Sequence, residues 1–181
     1  MAQNLHRVKM EGLKMRKGFT LIEVLVILAI VGILIVLGYP SIRTSIEVRK
    51  LDDNAREILA TLQRAKFQAV KTKTIHSVSF DLAQNTYTLS IYDYTNNQWR
   101  IIQRKVLSAP VNFSLISLAD PDNLGAIDTA NQVIFNSLGF ADRQGSIIIQ
   151  NPNLTNYEGI EDQRLIRIMI GGSIDIIKQE S

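Results

Sequence analysis

From Phe19 to Gly38 the chain is apolar apart from Thr20, Glu23 and small glycines, and no other window approaches that length. As a helix this run extends roughly 30 Å, about the thickness of a bilayer's hydrocarbon core. It therefore predicts one membrane span and no more. Arg7, Lys9, Lys14, Arg16 and Lys17 precede the run against a single Glu11, which predicts a cytoplasmic amino terminus and an exported remainder. Arg43, Arg49 and Lys50 follow it and weaken that asymmetry slightly. A cleavable secretory signal has a shorter apolar region ending in small residues. Leu37-Gly38-Tyr39-Pro40 makes a poor site of that kind. An uncleaved anchor is the simplest reading, and Glu23 is the residue it leaves unexplained.

A carboxylate inside a span costs about 2.5–3.5 kcal/mol at the bilayer centre and less near the interface, so it usually has a partner. Either Glu23 reaches headgroup water or something pairs with it. Its neighbours are Arg16-Lys17-Gly18-Phe19-Thr20-Leu21-Ile22-Glu23. A basic pair, a glycine, an aromatic and an acid at fixed offsets ahead of an apolar span closely resemble the processing motif of type IV pilin-like prepilins. The resemblance implies that prepilin peptidase cuts between Gly18 and Phe19 and methylates the new amino terminus at Phe19. It also implies a role for Glu23 in filament assembly. On a helix the Glu23 carboxylate lies about 6 Å along the axis from its own terminal amine. The amine of an axially shifted neighbour is then the natural partner, and a carboxylate in low dielectric is most stable when paired. Pro40, with Gly32 upstream, falls where pilin-like proteins often carry a helix kink; proline removes one backbone bond. Met10 and Met15 offer starts besides Met1, and initiation at Met15 would leave only Met-Arg-Lys-Gly before Phe19.

The net charge of +3 over 181 residues would suit nucleic acid if it were evenly spread. It is not: residues 1–18 hold a surplus of four positive charges, leaving the remainder at −1. Basicity belongs to the leader, and nucleic acid is not expected as a partner. The absence of cysteine excludes disulfides and thiolate metal sites.

Beyond the span, Leu51, Ala55, Ile58, Leu59, Leu62, Ala65 and Ala69 recur at helical spacing to about Thr74, with charges largely on other faces. After Ile75 the period becomes two. Val78, Phe80 and Leu82, then Tyr87, Leu89 and Ile91, alternate around a Gln84-Asn85 turn. Further strands are expected at Trp99–Leu107, Val111–Leu118, Gln132–Asn136 and Ser146–Gln150, with a hairpin of Arg164–Ile170 and Ile174–Lys178 about Gly171-Gly172. The expected fold is α+β and pilin-like: a long amino-terminal helix, membrane-spanning in its first half, packed on antiparallel sheet. The expected divisions are a cleaved leader (1–18), a transmembrane and filament-core helix (19–40), an amphipathic helix (41–74) and a β-rich domain (75–181).

Leu59–Val78, the run Ile134-Phe135-Asn136-Ser137-Leu138-Gly139-Phe140-Ala141-Asp142-Arg143-Gln144-Gly145 and the final hairpin resemble the GspH/FimT family of minor pseudopilins and minor pilins. That resemblance implies a structural subunit of a type II secretion pseudopilus or a type IV pilus. Its partners would be prepilin peptidase, other pilins or pseudopilins and the inner membrane, with the folded domain periplasmic or extracellular. DNA-binding members carry a basic Gly-Arg-x-Arg motif near the carboxy terminus; here the turn reads Gly172-Ser173-Ile174-Asp175. Two alternatives stay open: a DNA-binding minor pilin for transformation, and an anchored domain that binds an envelope ligand without polymerising.

No enzyme or cofactor is expected. The only histidines are His6 and His76, and His76, opening a strand, reads as a half-exposed strand residue with no second ligand to join it. No nucleophile elbow or phosphate loop is present. Asp120-Pro121-Asp122-Asn123 with Asp128 reads as a turn-rich loop whose spacing does not match an EF-hand, with calcium as the alternative. Tyr92, Tyr94 and Trp99 around Thr95-Asn96-Asn97 read as cross-strand aromatics of a hairpin.

Overall fold

A computed structural model describes residues 18–119, 131–155, 159 and 161–178, with the backbone alone described at 36–41. The leader with His6 and the candidate calcium loop lie outside the described residues. Helix α1 runs Leu21–Thr72. It starts after Thr20, whose hydroxyl accepts a hydrogen bond from the Glu23 backbone N–H at 3.3 Å, satisfying one of the free donors of a helix start. It ends where Lys73 adopts a left-handed conformation (φ 54°). The helical backbone continues through Gly32 and Pro40.

The chain divides into two compact units, residues 1–40 and 41–181. In the first, every described side chain is exposed. Among the described residues no helix is long and apolar enough to cross a membrane. The described side chains of the apolar run stop at Ile35, short of the about 20 residues a span needs.

The second unit holds the core. Leu51, Ala55, Ile58, Leu62, Ala65 and Ala69 are all at most 1% exposed, the helical stripe read from the sequence, and Leu59 packs beside them. Two four-stranded antiparallel sheets complete the unit. The first has strands β1 (His76–Asp81), β2 (Thr86–Asp93), β3 (Gln98–Val106) and β5 (Gln132–Phe135) in the order β3-β2-β1-β5. The second has β4 (Asn112–Ala119), β6 (Gln144–Gln150), β7 (Gln163–Ile168) and β8 (Ile174–Lys178) in the order β4-β6-β7-β8. Strand β7 stops two residues before the expected Ile170. The Met169 N–H turns to the Ser173 carbonyl, and the Gly172 N–H closes on the Met169 carbonyl at 2.8 Å.

His76 is not half-exposed. At 1% exposure it is buried, because β1 is an interior strand whose first residue pairs with Ile91 on one side and Phe135 on the other. The aromatic hairpin is as expected: Tyr92 and Trp99 are cross-strand partners, and Tyr92 meets the rings of Tyr94 and Trp99 edge-on at 5.0 and 5.2 Å.

The run from Phe135 to Gly145 is a corner piece between strands. The Asn136 side chain accepts from the Leu138 and Phe140 N–H groups, and the Asp142 carboxylate accepts from the Ile134 N–H at 2.7 Å. Gly145 is required sterically: a Cβ there would lie 1.9 Å from the Ser117 carbonyl oxygen on the paired strand.

Candidate functional site

Gly18, Phe19 and Thr20 precede the helix in irregular backbone, and Phe19 is 77% exposed. A Cβ at Gly18 would meet nothing within 4 Å. Gly18 and Phe19 thus stand in non-helical backbone directly before α1. Glu23 sits in the first turn of α1, three residues past Thr20. There its carboxylate faces the positive end of the helix dipole, a placement worth a few tenths to about 1 kcal/mol to an exposed acid. Thr20 was missed by motif reading. The Thr-x-x-Glu spacing of a capping box was the signal that identifies it.

Downstream, the described apolar side chains from Leu21 to Ile35 are exposed around the whole helix, with Leu21 at 82%, Leu28 at 65% and Val31 at 44%. A helix apolar all round is stable in lipid or inside an assembly, not in water. Glu23 is the one acidic residue in that stretch. Pro40 lies in the helical backbone, with its side chain outside those described.

The carboxy-terminal hairpin offers little to an anion. Arg164 is buried, its Nε donating to Asp52 Oδ1 at 2.7 Å and its Nη1 to Glu161 Oε2 at 3.3 Å. Arg167 and Lys178 are exposed, and Arg167 is paired across the strands with Asp175. Gly172 has a positive φ of 74°, and a Cβ there would fall 2.2 Å from the Gly139 carbonyl. Its own carbonyl accepts from Lys66 Nζ at 2.8 Å, so the turn is clamped to α1. Among the described residues no group of His, Cys, Asp or Glu is arranged to hold a metal ion.

Two family profiles match. The prokaryotic N-terminal methylation motif covers residues 13–39, and the type II transport protein GspH profile covers residues 54–173, more than half of the chain. The chain belongs to the GspH family. Among solved structures, this GspH-family chain is similar to the minor pseudopilin EpsH of the Vibrio cholerae type 2 secretion system. One EpsH structure gives a TM-score of 0.55 at 12% identity over 71% of this chain and 97% of that one. A second gives 0.51 at 13% identity over 71% and 96%. The type IV minor pilin FimU of Pseudomonas aeruginosa also matches, at a TM-score of 0.49 and 16% identity over 72% and 90%. Comparison with curated protein sequences gives no match. At these identities the likeness to the two EpsH structures speaks to fold: a GspH-type α+β domain with two antiparallel sheets.

Proposed function

We propose that this GspH-family chain is a non-enzymatic structural subunit, a minor pseudopilin or minor pilin, of a type II secretion pseudopilus or type IV pilus. Prepilin peptidase cuts it between Gly18 and Phe19 and methylates Phe19. The apolar helix then holds the subunit in the inner membrane as a single pass, with residues 41–181 outside, until it joins a filament with other pilins or pseudopilins. Glu23 pairs with the free amine of a neighbouring subunit, and Pro40, which donates no backbone hydrogen bond, is the point at which the helix kinks. The reading rests on one observation: an open Gly18–Phe19 bond stands directly before a helix apolar on every face, with a lone carboxylate in its first turn.

Intact-mass analysis of the membrane-extracted protein tests it. The expected mature form lacks residues 1–18 and carries one added methyl group. A chain that keeps its leader, or that begins after Tyr39, would refute the proposal.

A further inference from the structure

Along the seam between α1 and β3, side chains pair rung by rung. Lys105 bonds Glu57, and Arg64 donates to Gln103 Oε1 at 3.1 Å. At the next rung the pairing fails. Arg100 opens into the same groove as Arg64 and Lys71, and no carboxylate lines that groove. Lys71 has no hydrogen-bond or ion-pair partner among the described residues, and Arg100 has only a weak attraction to Asp93, outside the groove. That carboxylate is already committed to the Thr95 N–H and the Asn96 amide of its own turn. Three cations line one groove that holds no carboxylate of its own, so they repel one another, and an arriving anion relieves that repulsion.

The remaining walls are not those of a simple anion hole. Phe67 and Ile101 are 66% and 58% exposed and line the groove, whose volume is about 680 Å³, within the usual range for ligand pockets. Strand β3 is the edge of its sheet, so its outer row of backbone groups is available for pairing. The occupant that meets all of these is acidic, partly apolar, and has backbone groups free to pair with a strand edge.

We propose that this groove binds an extended, acidic segment of a partner protein. Its carboxylates lie among Arg64, Lys71 and Arg100, its apolar side chains cover Phe67 and Ile101, and its backbone pairs with the free edge of β3. A phosphodiester chain satisfies the cations but brings no backbone donors to β3. The groove lies wholly within the 41–181 unit, so its occupancy is independent of cleavage at Gly18 and of Glu23.

The test is calorimetric titration of the full-length protein in detergent micelles with acetyl-Glu-Val-Glu-Val-Glu-Val-amide. Its controls are the Gln-for-Glu version of that peptide and hexathymidylate. The acidic peptide is expected to bind with Kd below about 1 mM and roughly tenfold more tightly than either control. Binding should fall roughly tenfold in the doubly substituted Lys71→Glu, Arg100→Glu protein. It should be unchanged in Arg49→Glu, another exposed α1 cation, and in Glu23→Val. Lys71 and Arg100 are exposed, so the double variant should unfold at the same temperature as the parent. No binding, equal binding of the Gln peptide, tighter binding of hexathymidylate, or insensitivity to the double substitution would each overturn the assignment. A mature protein that binds the peptide but does not assemble would refute the filament proposal while leaving the groove intact.

Discussion

Arg164 on β7 and Asp52 on α1 meet at 2.7 Å across 112 residues of sequence, and the arginine side chain is only 4% exposed. The contact fastens the helix to the second sheet and gives a counter-charge to an arginine that strand alternation sets on the same face as the buried Ile166 and Ile168. The arginine's Nη1 is further held by the Glu161 side chain and the Gln163 carbonyl. Removing only the acid strands part of a buried charge. Asp52→Ala should lower unfolding stability by about 2 kcal/mol. Replacing the arginine by an apolar side chain of similar length removes the buried charge itself, so Arg164→Met should cost less than Asp52→Ala. Urea unfolding of both variants checks the order, and a larger loss for Arg164→Met would show that the arginine contributes net stability.

Gly18 and Gly145 make opposite demands. A side chain at Gly18 meets open space, whereas one at Gly145 collides with the Ser117 carbonyl. Gly18→Val should leave thermal unfolding unchanged while uncut precursor accumulates. Gly145→Ala should destabilise the domain by about 3 kcal/mol and leave the processing site untouched. Thermal melts and immunoblots for precursor and mature forms separate the two. Normal processing of Gly18→Val would remove the glycine from the cleavage requirement.

Glu23 should matter to assembly more than to insertion. Glu23→Val removes a charge that is costly in lipid, so membrane levels should equal or exceed the parent's. In a dry filament core the neighbour's amine would lose its partner, at about 3–5 kcal/mol, and incorporation should collapse. Thr20→Val removes only the helix cap, about 1 kcal/mol, and should reduce incorporation mildly. The ratio of filament to membrane protein is the measurement, and an equal ratio in Glu23→Val and parent would discard the pairing model.

Strong DNA binding is not expected, because the groove cations Arg64, Lys71 and Arg100 are fewer than the about six to ten phosphate contacts of a strongly salt-dependent duplex binder. Arg164 is committed to Asp52 and Glu161, and Arg167 stands opposite Asp175. Phosphate affinity depends on clustered, available Lys and Arg, and falls steeply with salt. A gel-shift titration of the leader-free protein with duplex DNA at low and physiological salt should show no submicromolar complex. A tight, salt-sensitive complex would favour the DNA-uptake reading.

The sequence by itself determined the features that repeat over a few residues. The Gly18–Phe19–Glu23 spacing, the apolar run, the Leu51–Ala69 stripe and the alternation after Ile75 each reflect a local period of helix or strand, and the family resemblance rests on the same residues. Turns followed for the same reason: Asn85 and Asn97 take positive φ where the turn residues place them. Tertiary structure alone decided how the eight strands among the described residues divide into two sheets, that β1 is interior so that His76 is buried, and that Arg164 belongs to Asp52. It alone brought Arg64 and Lys71 of the helix beside Arg100 of β3. These outcomes depend on partners tens of residues apart in the chain. Burial and counter-charge are properties of what arrives from elsewhere in the fold, and no local period encodes them.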